Sequence, residues 1–360
     1  MKKIVFYAPI GTGVPQHQLG GGEKGCRRTI EILTDAGYEV HAIDKPVMES
    51  GILSYLRMAI KAYIKVLKLL VSDKESILYV VGFYEKNVYP EWLNVITGRI
   101  LGRKVIYEAR NGRLVKAYYE YGRIYRMFMD NILKKTNLLF AQGLEYVDFI
   151  KEKYGRTAIY TPNYVMNKSL KPYLDDRSID TIRLLYFGRV SESKNVEIVI
   201  STASELEKLG FKTHTTIIGG YTDSYRSFLE KRIIEEKLSL ESIIFMGSQS
   251  FDVISEILQS VHFFVFPSKE KMEGHSNSLT EAMTFGVVPI VSNAGFNASV
   301  VSKPELVIED LKAEKFAKVI SDIIVDGKWP EYSHYVYERV KNNYTEDIVK
   351  KSITAAIENL

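Results

Sequence analysis

Cysteine is nearly absent: Cys26 stands alone among 360 residues, so no internal disulfide can form and a reducing compartment is the natural setting. Its place in a stretch of helical spacing makes it a small core residue rather than a nucleophile. No uncharged apolar run is long enough to span a bilayer, and the basic-then-apolar start at 2–8 is too short for a secretory segment. The chain is therefore expected in the cytoplasm, or peripheral on the cytosolic face of a membrane. There is no cysteine cluster and no histidine pair at helical spacing, so no metal is expected. A dinucleotide fingerprint beginning at Gly11 and Gly13 would need glycine at the position of Gln16, so nicotinamide binding is not supported.

Hydrophobic residues make up 46% of the chain and charged residues 26%, enough apolar material for two ordinary soluble domains. The net charge of +4 hides a split. Residues 1–170 carry 26 Lys+Arg against 16 Asp+Glu, and the remainder 22 against 28. Such asymmetry suggests that one half meets an anionic partner, and charge alone admits nucleic acid or anionic lipid.

Strand and helix periods alternate along the chain. Strands are expected at 3–8, 38–43, 77–82, 103–107 and 137–141. Helices are expected at 23–36, 52–71, 92–101, 114–134 and 144–153. In the first helix Cys26, Ile30, Leu33 and Ala36 share a face. The stretch 160–181, with Asp175 and Asp176 as a solvated turn, breaks the rhythm. It then restarts with strands at 182–187, 213–218, 243–246, 262–266 and 287–291, and with helices at 195–208, 224–236, 251–259 and 278–285. The expected class is α/β: two Rossmann-like domains facing each other across a cleft, at 1–165 and 166–340, with 341–360 as a C-terminal helix that could cross back.

Two segments bear on chemistry. After the strand at 262–266, Glu273 and Glu281 flank small polar residues that lead into a helix. A helix start with free backbone N–H groups suits a diphosphate, and carboxylates suit sugar or ribose hydroxyls. A plainer reading makes Ser278 and Glu281 a capping box and Glu273 a solvated charge. Further upstream, the strand at 182–187 ends in Gly188 and Arg189, and Lys194 precedes the next helix. Arginine offers a planar fork to phosphate and lysine a compact charge, although pairing with Glu192 and Glu197 would also account for them.

Taken together these segments resemble the family 4 glycosyltransferases, retaining enzymes of the GT-B fold. The resemblance covers most of the chain and is strongest over 184–300. It implies that Arg189 and Lys194 hold the donor phosphates, that Glu273 lies by the transferred sugar, and that Glu281 binds the ribose hydroxyls. Gly274, His275, Ser276, Asn277, Ser278 and Leu279 would form the loop that meets the diphosphate and sugar. Gly219 and Gly247 match strand-end glycines near the base. Pro162 and Asn163 resemble the interdomain crossing. Gly21 and Gly22 resemble the loop that approaches acceptor and donor phosphate. Where many relatives place a histidine, this chain has Arg110 and Asn111, and beyond the second glutamate Asn293 to Asn297 replaces an acidic element. His17 and His275 are lone histidines.

The basic half adds one more feature. Arg57, Lys61, Lys65 and Lys68 lie at helical spacing among apolar residues with no acid, and 103–135 carries nine Lys+Arg against three acids, interleaved with aromatics. Such helices suit an anionic membrane surface, or else their apolar faces are core. The resemblance thus implies a metal-independent retaining hexosyl or N-acetylhexosaminyl transferase in cell-surface polysaccharide synthesis. Its partners would be a nucleotide diphosphate sugar, UDP favoured, and a glycan or lipid-linked acceptor, with no nucleic acid. A GT-B-fold sugar-nucleotide epimerase and a catalytically silent sugar-nucleotide- or glycan-binding subunit are the rivals.

Overall fold

The computed structural model describes residues 2–14, 20–46, 51–83, 85–173, 177–239, 241–270 and 273–360. Gln16, His17, Asp175 and Asp176 lie outside them. The chain divides into two compact units, one of Met1–Asn163 with Val349–Leu360, the other of Tyr164–Ile348. Each is a six-stranded parallel sheet with helical crossovers, the Rossmann-like pattern expected from the alternation.

The first unit has β1 (Lys3–Ala8), α1 (Gly21–Asp35), β2 (Glu39–Asp44), α2 (Ile52–Ser72), β3 (Ile77–Gly82), α3 (Val88–Ile100) and β4 (Lys104–Ala109). It continues with α4 (Leu114–Glu120), α5 (Arg123–Lys135), β5 (Leu138–Ala141), α6 (Leu144–Tyr154) and β6 (Ile159–Tyr160). The strand order is β2-β1-β3-β4-β5-β6. Central β3, Ile-Leu-Tyr-Val-Val-Gly, is buried throughout because helices cover both of its faces. Edge strand β2 is only partly covered, which is why its sequence alternates.

Three expectations change here. The helix expected over 114–134 is two helices, broken where Tyr121 and Gly122 turn extended; glycine is a poor helix residue and opens the break. The buried stripe of α1 runs through Cys26, Thr29, Ile32 and Leu33, whereas Ala36 lies past the helix end and is exposed. In α2 only Ala62, Val66 and Leu70 are buried, although most of its residues are apolar.

The second unit has β7 (Ile182–Phe187), α7 (Glu197–Lys208), β8 (Thr213–Ile218), α8 (Asp223–Glu235), β9 (Ile243–Phe245), α9 (Phe251–Leu258), β10 (Phe263–Phe266) and α10 (Asn277–Met283). Then come β11 (Val288–Ser292), α11 (Asn297–Val301), β12 (Val307–Ile308), α12 (Ala313–Val325) and α13 (Trp329–Asn343); α14 (Glu346–Glu358) closes the chain and from Val349 on belongs to the first unit. The strand order is β12-β11-β10-β7-β8-β9. The run from β7 to β9 grows one way and that from β10 to β12 the other. The order reverses between β7 and β10, the switch point at which open α/β sheets bind ligands.

A buried ion pair sits in the first unit. Lys45, just after β2, donates to the Glu91 carboxylate and the Val81 carbonyl. Glu91, with no exposed surface, also accepts from the Tyr107 hydroxyl at 2.9 Å and the Phe83 N–H at 2.9 Å. Burial pushes the Lys45 amine below its usual range, against the pull of Glu91. Removing one partner strands a charge, so Glu91→Ala should cost about 3–5 kcal/mol of unfolding free energy in urea titration. The paired change Lys45→Met with Glu91→Met should recover most of it; equal loss in both variants would refute the assignment.

Candidate active site

The carboxyl ends of β7, β8, β9 and β10 converge in the second unit. Gly188 donates its N–H to the Ile218 carbonyl at 3.0 Å, and Gly219 donates to the Gly247 carbonyl at 2.7 Å. Gly219 has φ +146°, and a Cβ there would lie 1.7 Å from the Gly188 carbonyl oxygen. Only glycine allows the two strand ends to approach so closely. Arg189 follows at the exposed tip of β7, its backbone carbonyl accepting the Tyr186 hydroxyl at 2.7 Å.

The next turn, Glu192–Lys194, is tied to the segment after β10. Lys269 donates its N–H to the Ser193 carbonyl at 3.0 Å. Lys194, 9% exposed, places its ammonium 2.5 Å from Oε2 of Glu273, which is 7% exposed. Ser268, fully buried, donates to the same oxygen at 2.7 Å, and its own carbonyl accepts from Ser292 at 2.6 Å. Glu273 is therefore a fixed carboxylate and not a solvated loop charge. Gly295, with φ +55°, packs so tightly that a Cβ would lie 1.8 Å from the Glu273 carbonyl oxygen. The segment at 293–297, which departs from the family pattern, thus backs the glutamate directly.

Gly274 leads from Glu273 into α10, whose N-cap is Ser276; no side chain caps the helix, and the Ser276 and Ser278 hydroxyls bond each other at 2.9 Å. Glu281 falls in the second turn, so the capping-box reading of Ser278 and Glu281 does not hold. Asn277, Ser278 and Glu281 are half-buried and Leu279 is core. The shielded Oδ1 of Asn277 accepts no hydrogen bond among the described residues. His275 is 3% exposed and packs edge-on against Tyr344 with ring centroids 5.0 Å apart. Its imidazole faces the interior of this unit.

Beside Arg189 lies a cavity of about 540 Å³ lined by Gly220, Tyr221, Thr222, Tyr225 and Phe228. The stacked pair Tyr225 and Phe228, 5.7 Å between centroids, forms its aromatic wall, and the Tyr225 hydroxyl is anchored on Glu197. Sequence reasoning placed Gly220 near the base but missed Tyr221, Thr222, Tyr225 and Phe228; the available signal was a Tyr-Thr pair directly after the strand-end glycines.

The other expected residues belong to the first unit. Gly21 and Gly22 form the first turn of α1 rather than a loop, and Gly22 lies against the Phe83 ring. Asp44 accepts the Ile10 and Thr12 N–H groups at 2.8 and 2.7 Å, and Arg27 donates to the Ile10 and Gly11 carbonyls, so the backbone at 10–12 is held by both side chains. Arg110 is 6% exposed, and its fork is spent on Glu108 at 2.6 Å and Thr29 at 2.6 Å. Burial opposes its charge, but the Glu108 carboxylate prevails and holds it protonated. Asn111 adopts φ +60° and is fixed by the Gln142 side chain at 3.2 Å and the Tyr146 hydroxyl at 2.5 Å. Cys26 is fully buried and burial pushes its thiol up to about 12. Among the described residues no group of three His, Cys, Asp or Glu side chains converges as a metal site would require.

The comparisons agree with this architecture. Residues 177–343 match the family model described as glycosyl transferases group 1. Across its full length the chain is similar to sucrose-phosphate synthase from Thermosynechococcus elongatus, with TM-score 0.75 and 15% identity over 100% of this chain and 99% of that one. It is likewise similar to Anabaena HepE, solved with UDP, with TM-score 0.72 and 14% identity over 100% of both chains. A third neighbour is WaaG, described as a glycosyltransferase involved in lipopolysaccharide biosynthesis, with TM-score 0.63 and 13% identity over 99% and 98%. No curated protein matches the sequence. The whole chain has the GT-B fold of these neighbours. More narrowly, the residues of the second unit that match the glycosyl transferases group 1 model include Arg189, Lys194, Glu273 and Glu281, on which the resemblance to family 4 rests.

Burial drops the His275 imidazole from its usual 6.5 to about 3, with the Arg339 charge adding to the effect. The unfolded chain thus takes up this proton at a pH where the folded chain does not. The stabilisation is complete above pH 6.5 and is lost as pH falls toward 3. About 2 kcal/mol should go between pH 7 and pH 5. His275→Asn should show a correspondingly flatter pH dependence in urea unfolding, and an unchanged slope would contradict the buried neutral form.

Proposed function

We propose that this chain is a retaining glycosyltransferase that moves a hexose or N-acetylhexosamine from a nucleotide diphosphate sugar, UDP favoured, to a glycan or lipid-linked acceptor in cell-surface polysaccharide synthesis. The observation that carries the reading is the Lys194–Glu273 contact at 2.5 Å, which joins the cationic end of β7 to the loop before α10. A diphosphate at this switch point meets the exposed Arg189 fork and the uncapped N–H groups of α10. Lys194, bound to Glu273, supplies its remaining donors. The aromatic cavity beside Arg189, following Gly219 and Gly220, accommodates the base, and Glu281 takes the ribose hydroxyls. HepE has also been solved with UDP-glucose, which supports a uridine donor, and WaaG's role in lipopolysaccharide biosynthesis supports a glycan or lipid-linked acceptor.

In the reaction the bond from the anomeric carbon to the diphosphate breaks, and an acceptor hydroxyl forms the new bond on the same face. Its proton passes to a leaving phosphate oxygen. Arg189 and Lys194 balance the charge that develops there, so no metal is assigned. Glu273, held by Lys194 and Ser268, orients the sugar.

A thermal-shift screen of nucleotide sugars should single out UDP-sugars. Nucleotide release should require acceptor, whereas an epimerase releases it without one and a silent subunit releases none. Losing one charged hydrogen bond costs about 1.5–3 kcal/mol, so Glu281→Ala should raise donor KM roughly tenfold to a hundredfold. An unchanged donor KM would displace the nucleotide from this position.

A further inference from the structure

Helix α2 (Ile52–Ser72) carries three stripes. Ala62, Val66 and Leu70 are buried against the unit. A second stripe, Leu53, Leu56, Ile60, Ile64 and Val71, recurs at spacings of three, four and seven and faces outward. Its members are 84%, 49%, 59%, 44% and 58% exposed. The third stripe is Arg57, Lys61, Lys65 and Lys68, beside the second, and all four are exposed. No acid occurs in the helix, and none of the four cations has an ion pair among the described residues.

A water-facing helix normally presents polar side chains, and one that is core throughout has no exposed leucine above 80%. This helix does neither. Its apolar ridge is continuous along about 17 Å of helix from Leu53 to Ile64, with Val71 about 10 Å further on the same face, and the flanking positive charge has no counter-charge of its own. Those two properties together suit a surface that is apolar beneath and anionic above: an aliphatic ridge settles between acyl chains while lysine stems reach back to phosphates. We infer that α2 is an interfacial helix, laying its Leu53–Ile64 ridge into an anionic phospholipid leaflet with the cations at headgroup level. The inference deepens the proposed function by naming where a lipid-linked acceptor is met. It is tested without sugar transfer, so either can fail alone.

The test uses the full chain with vesicles of phosphatidylcholine, with and without phosphatidylglycerol, in flotation assays. Wild type should float with anionic vesicles and bind neutral ones at least about tenfold less, with added salt lowering the anionic binding. Lys61→Glu, Lys65→Glu and Lys68→Glu together should abolish the preference. Leu53→Ser, Ile60→Ser and Ile64→Ser together should weaken binding to both kinds. These side chains are exposed, so both variants should keep the melting temperature and the donor-induced thermal shift. The proposal is overturned if wild type does not float, if it ignores vesicle charge, or if the serine variant turns a dimer into a monomer in light scattering, since a second copy would then own this face.

Discussion

One ammonium and one carboxylate hold the candidate site together. The Lys194–Glu273 pair spans 79 residues of sequence and is almost closed to water, where a charge is tolerated only beside its opposite. It joins the turn after β7 to the loop after β10, the two strands between which the sheet order reverses. Around it the arrangement is over-determined: Ser268 bonds the carboxylate, Ser292 bonds Ser268, and Gly295 presses on the backbone of Glu273. The glutamate can thus keep a single orientation while the neighbouring Arg189 stays exposed.

The two units use the same building rule with different strand orders. In the second, β7 lies between β10 and β8, and its carboxyl end is the point of divergence. In the first, β1 lies between β2 and β3, and there the reversal falls beside the glycine-rich segment and Phe83. Each unit has a buried ion pair near its own reversal: Lys194 with Glu273 in one, Lys45 with Glu91 in the other. Parallel sheets leave their strand ends without further pairing, and side-chain ion pairs take over the task of fixing the loops.

Most of the architecture was legible because parallel strands bury both faces and read as unbroken apolar runs. The strands at 3–8, 77–82, 182–187 and 213–218 coincide with the observed ones for that reason. The stretch after 292 was harder at its short elements, since α11 has five residues and β12 only two, too few for a period to show, whereas α12 does carry a helical stripe in Ala313, Phe316, Ala317 and Ile320. At the site, residue types and order were readable, but partners were not. Nothing local to Lys194 says that its charge is answered 79 positions later, and nothing local to His275 says that Tyr344 covers it. Arg110 illustrates the same limit, since Glu108 and Thr29 consume its fork through tertiary contacts. For α2 the spacing was clear, yet which apolar stripe faced the sheet depended on neighbours.

The lone thiol has a practical consequence. Cys26 is sealed inside α1 and holds its proton far above neutral pH, so thiol reagents have no target on the folded chain. A single cysteine placed anywhere on the exterior becomes the sole attachment point for a dye or spin label, with no need to remove the native one. Reactivity of the wild-type chain itself then serves as a gauge of how often α1 lifts from its sheet.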